Sequence, residues 1–162
     1  MSVTGTSVST TSLLTVDGIR RFLRDYADKN ILLGDVEFTD DDLSAAKLWA
    51  LLDLNSLPPP LTWDTVESLP SEAQILVLYA IAKHLMFSEA ARQRRNQLTA
   101  QDGDVAPIGM DDKSAMYENA AQYYAVLFES RAKQWKIAYN MNQAYGSLSS
   151  GYINVANGVG SV

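Results

Sequence analysis

The sequence predicts an all-α fold: a small helical bundle of about four main helices with extended N- and C-terminal arms. Three observations lead there. Apolar residues recur at helical spacing in four separate segments. Thr15 and Thr39 stand as N-caps just before acidic residues, where negative charge suits a helix N-terminus. Proline and glycine clusters fall between the periodic segments. At 162 residues, with 47% apolar and 20% charged residues, the chain suffices for one domain with its own core.

Val16, Ile19, Phe22, Leu23 and Tyr26 predict a first helix over about 16–28, with Arg20, Arg21 and Arg24 on its other face. Asn30 and Gly34 mark a loop through Phe38. A second helix opens at Thr39, with Asp40, Asp41 and Asp42 in its first turn. Leu43, Ala46, Trp49 and Ala50 are expected to face inward. Leu48, Leu51 and Leu52 widen the apolar surface, as in a helix covered on more than one side. This helix is expected to stop before Asn55, and Pro58-Pro59-Pro60 imposes an extended segment. A short helical turn is expected within Thr62–Leu69.

Ser71 and Glu72, after Pro70, start a long helix running to about Leu98. Its inward stripe is Ile75, Leu78, Tyr79, Ala82, Leu85, Met86 and Ala90. Gly103, Pro107 and Gly109 place a loop over 99–110. A last long helix then begins at Asp111 and Asp112 and ends at or near Gly146. It carries two apolar stripes, Met116–Ala120–Tyr123–Leu127 and Tyr117–Ala121–Tyr124–Phe128–Trp135. One stripe faces the bundle and the other needs a neighbour. In the tail, Tyr152, Ile153 and Val155 fit one short strand for a partner's sheet edge.

Charge divides the chain more sharply than hydropathy. The 13 basic and 19 acidic residues all lie between Asp17 and Lys136, leaving residues 1–16 and 137–162 without a charged side chain. The expected organisation is an N-terminal arm over 1–14, a helical domain over 15–145 and a C-terminal arm over 146–162. The net charge of −6 argues against non-specific coating of nucleic acid, which requires phosphate neutralisation. No apolar run approaches the length of a bilayer span, and residues 1–16 lack the basic start of a secretory signal. Export is therefore not expected, and synthesis in a cytoplasm is.

Chemistry is sparse. With no cysteine, the chain has no disulfide, thiolate ligand or Cys nucleophile. Its one histidine, His84, reads as a hydrogen-bonded, partly buried side chain beside Leu85 and Met86. Asp40–Asp42 and Gln101–Asp104 lack the alternating ligands of a calcium loop. There is no Glu-x-x-His, no phosphate-binding Gly-rich loop and no Gly-x-Ser-x-Gly elbow. No catalytic residue, metal site or cofactor is expected. Arg92, Arg94 and Arg95 form the one basic concentration. It either complements the helix dipole or docks an acidic surface or phosphates.

Several segments in order resemble the head–tail connector, or adaptor, proteins of tailed bacteriophages. These are Ile-Arg-Arg-Phe-Leu-Arg-Asp-Tyr at 19–26, Phe-Thr-Asp-Asp-Asp-Leu at 38–43, and Asn55 with Pro58–Pro60. The long helix ending in Arg92–Arg95, the helix over 112–140, and Ser-Gly-Tyr-Ile-Asn-Val at 150–155 complete the series. The resemblance spans about residues 16–155 in element order, through motifs that are individually weak. It implies a non-enzymatic virion protein of the neck, a homo-oligomeric ring of twelve copies between the portal protein and a downstream neck or tail protein. DNA would only pass through the lumen, and no membrane would be involved. By the same resemblance Tyr145, Leu148, Tyr152, Ile153 and Val155 would carry the portal-grasping arm. Arg92, Arg94 and Arg95 would be a docking patch, and Tyr117, Tyr124, Phe128 and Trp135 a subunit interface. Rival readings are another phage neck or tail-completion protein, a helical enzyme or ligand-binding regulator using His84 and the tyrosines, and a helical DNA-binding regulator acting through Arg92–Arg95.

Overall fold

The computed structural model describes residues 13–30, 33–100 and 113–145. Among these residues the fold is all-α. Helices α1 (Val16–Leu23), α2 (Asp40–Ser56), α3 (Gln74–Ala100) and α4 (Lys113–Tyr145) are joined by loops, with 3-10 turns at Val66–Ser68 and Ser71–Ala73. Helix α3 runs on to Ala100, past the expected end near Leu98 and into the loop expected over 99–110; the rest of that loop and the tail segment at Tyr152–Val155 lie outside the described residues.

Helix α3 is the axis of the bundle. Leu76, Val77, Ala80, Ile81 and Leu85 are all buried, more of its circumference than one stripe would cover. It packs against both α2 and α4, and α1 lies across α2 and α3. Both long pairings are antiparallel. Asp53, late in α2, meets Lys83 and His84, early in α3. Arg94, late in α3, pairs with Glu118, early in α4, while Tyr79 meets Arg131 further along α4. The rings of Phe22, Tyr79 and Tyr124 join α1, α3 and α4 at centroid distances of 6.0–6.4 Å.

Helix α1 ends at Leu23, not near residue 28. Arg24 turns left-handed, with φ of 59°. Beyond it Asp25 is buried at 3% exposure and accepts four hydrogen bonds, from Arg20, Asn30 and the backbone N–H groups of Glu37 and Phe38. Those bonds hold the 24–38 loop in place of further helical turns. Thr39 caps α2 in a complete capping box with Asp42, as its sequence predicts.

Helix α2 continues through Asn55 to Ser56. The Asn55 side chain spends both its polar groups on the Trp63 backbone, donating to the carbonyl at 2.9 Å and accepting from the N–H at 3.0 Å. This fastens the proline segment back onto the helix it follows. Trp49 is half exposed, not inward. Its ring lies 5.7 Å from His84, while Leu51 and Leu54 take the core positions. Ile75 likewise lies outside the α3 core stripe. At the other end, Leu14 belongs to the core and the Leu13 N–H donates to Gln74 at 2.9 Å, so the bundle claims residues assigned to the N-terminal arm.

Candidate functional site

A polar network lies where the 24–38 loop meets the end of α3 and the start of α4. The Tyr117 hydroxyl donates to the half-buried Glu37 carboxylate. Burial raises the Glu37 pKa above its ordinary value. The Tyr117 bond opposes this, and the neighbouring Glu89 and Asp25 carboxylates add to the rise. Tyr117 is pushed up as well, by burial first and then by its bond to Glu37. Glu89, itself buried, accepts from Arg92 at 2.8 Å and from Gln93 at 2.6 Å. Lys29 and Lys113 complete the rim of an open cleft of about 450 Å³. Each carboxylate already has a donor, so this network clamps a loop to two helices. A second, more apolar groove of about 510 Å³ lies beside Leu13, between Phe22 of α1 and Ile75 and Leu78 of α3.

His84 has the environment its sequence context predicts. Its Nε2 is 2.8 Å from Asp53 Oδ2, an oxygen shared with the Lys83 ammonium, and Trp49 partly covers the ring. Among the described residues no hydroxyl hydrogen-bonds to His84, and no group of three or more acids and histidines could hold a metal ion. No described helix is long and apolar enough to cross a membrane.

The basic stretch is largely paired. Arg92 is tied to Glu89 and Arg94 to Glu118, while Arg95 is exposed on the same segment. The four side chains assigned to a subunit interface turn the other way. Phe128 is only 2% exposed, and Trp135, Tyr124 and Tyr117 are partly covered by the chain's own bundle. That stripe is the bundle face of α4, because it lies over α3 and the 24–38 loop. The stripe left free is the first, with Met116 at 73% and Tyr123 at 63% exposure. Tyr145 is the last residue of α4; Leu148, Tyr152, Ile153 and Val155 lie outside the described residues.

Sequence reasoning missed Lys136. Its side chain is fully buried, and its ammonium donates to the Leu54 carbonyl at 2.9 Å and to the Leu57 carbonyl. It also lies 5.8 Å from the centre of the Trp63 ring, beside the rings of Trp135 and Tyr139. Burial lowers its pKa. The available signal was its position: Lys136 follows Phe128 and Ala132 at intervals of four, on the buried face of α4.

What these arrangements offer is a helical body with exposed apolar faces. Leu48, Trp49 and Leu52 project from α2, and Met116, Tyr123, Val126, Ile137 and Met141 from α4. No protein-family model, no curated protein and no solved structure matches this chain.

Proposed function

We propose that this chain is a structural, non-enzymatic subunit of a bacteriophage neck, assembling as a ring adaptor between the portal protein and the tail. The observation that carries the reading is the partition of charge. All charged side chains lie between Asp17 and Lys136, within or beside the helical body, and the sequence on either side is neutral. An uncharged segment can enter a protein groove without burying an unpaired ion. Ordering it costs on the order of 1–2 kcal/mol per residue in backbone entropy, which a partner surface can offset. The sequence resemblance to head–tail connectors supports the same reading. In this reading the 146–162 arm grasps the portal, and the α2 patch of Leu48, Trp49 and Leu52 is available to a neighbouring component.

Co-sedimentation with purified portal rings tests the proposal. Binding is expected from the full chain and lost on deleting residues 146–162, with helical circular dichroism unchanged. No co-sedimentation by the full chain at high concentration overturns the reading. A salt-sensitive affinity for duplex DNA would instead favour a regulator acting through Arg92–Arg95.

A further inference from the structure

The outer face of α4 is unusual for a helix that meets water. From Met116 to Met141, about 38 Å of helix, residues recur at alternating intervals of four and three: Met116, Ala120, Tyr123, Leu127, Ser130, Gln134, Ile137 and Met141. This is the spacing of a coiled-coil seam. None of the eight is charged. Met116, Tyr123, Ile137 and Met141 are exposed, and Leu127 is half-buried at the seam's edge. Solvated helix faces ordinarily carry charge.

We infer that this seam is covered by the same seam of a second copy, running antiparallel, so that two chains pair in solution through α4. The order of side-chain sizes argues for that occupant and direction. Reversing one helix about a point between Leu127 and Ser130 sets Ala120 against Ile137, Tyr123 against Gln134 and Leu127 against Ser130, with Met116 on Met141 at both ends. The three inner layers thus place a large side chain opposite a smaller or more flexible one, as interdigitated packing requires. A parallel pair would stack Tyr123 on Tyr123, Ser130 on Ser130 and Gln134 on Gln134.

Charge points the same way. The positions flanking the seam bring only two charged side chains, Arg131 and Lys133. A parallel pair would gather all four of these cations at one level. The antiparallel pair instead sets Lys133 beside Val126 of the other chain. For molecules of net charge −6, a face without carboxylates is also where two copies meet with least repulsion. The contact is isologous, each copy using the same patch. The inference does not rest on the neck role.

Because the chain has no cysteine, introduced thiols report it cleanly. The full chain is expected to sediment at twice the chain mass at tens of micromolar. Tyr123→Glu, at an exposed position, is expected to give monomers with the same helical circular dichroism. Ala120→Cys and Ile137→Cys, mixed and mildly oxidised, are expected to form a mixed disulfide dimer, with little dimer from either alone. A monomeric full chain overturns the inference, as does a dimer that survives Tyr123→Glu. A dimer cross-linked through Ala120→Cys alone, or one giving no mixed disulfide, overturns the antiparallel register. Retained portal binding by the monomeric Tyr123→Glu variant would leave the neck proposal intact, so the two readings fail separately.

Discussion

A buried carboxylate, Asp25, approaches α2 at its N-terminal side, and a buried ammonium, Lys136, approaches it at its C-terminal side. Asp25 accepts from the N–H groups of Glu37 and Phe38, just ahead of the Thr39 cap. Lys136 donates to the carbonyls of Leu54 and Leu57, at and beyond the last turn. Each ion has the sign that the nearby helix terminus favours. The solutions differ in cost. Asp25 has four donors, including the guanidinium of Arg20, whereas Lys136 has two neutral carbonyls, a nearby ring and, among the described residues, no carboxylate partner. Both ions keep hydrogen-bond partners, but only Asp25 also has an opposite charge beside it, and burial lowers the Lys136 pKa accordingly.

The comparison breaks hardest at the acidic end. Asp25→Ala leaves the Glu37 and Phe38 N–H groups without their acceptor and Arg20 with only its exposed partner Asp40, and about 3–5 kcal/mol of unfolding free energy is expected to be lost in urea titration. Lys136→Met keeps most of the buried stem but takes the ammonium from the Leu57 carbonyl and leaves the Leu54 carbonyl with the Leu57 N–H alone. Its expected cost is smaller, about 1–3 kcal/mol, because removing the ion also removes its desolvation penalty. A loss at Lys136 exceeding that at Asp25 would invert the ranking. Thr39→Ala removes one half of the capping box and is expected to cost about 1 kcal/mol. Arg24→Gly relieves a left-handed residue whose side chain is exposed, and is expected to stabilise by about 0.5–1 kcal/mol.

The smallest effect is a pH dependence at the cleft. Burial raises the folded-state pKa of Glu37, so the folded chain holds that proton more tightly than the unfolded chain. This term favours folding below the unfolded value, near 4.5, and is lost as pH rises through the folded value. Glu37→Gln removes it. The stability difference between variant and parent should therefore move in the variant's favour from about pH 4 to about pH 7. A difference that is flat, or that moves the other way, would remove Glu37 from the account.

The helices were legible because local signals and packing agree. Thr15 and Thr39 cap where their chemistry predicts. Periodicity misled where a distant partner decided the outcome. Tyr26 continues the α1 stripe, but bonds from residues 30–38 to Asp25 draw the chain off the helix. Trp49 fits the inward pattern of α2, yet it lies over His84 of α3. The two stripes of α4 are nearly equal in apolar content, so sequence alone could not say which one meets the bundle. Placing Tyr117, Tyr124, Phe128 and Trp135 at a subunit contact reversed the order that burial shows. The Glu37–Tyr117 contact joins residues 80 positions apart and left no local trace.

Trp63 and Trp135 stand 5.5 Å apart at the lysine end of α2, and two of the chain's three tryptophans are therefore gathered there. Intrinsic fluorescence will thus report chiefly on this corner of the molecule. A shift in emission during titration with a partner would register a change at the α2–α4 junction, and would do so without any attached dye.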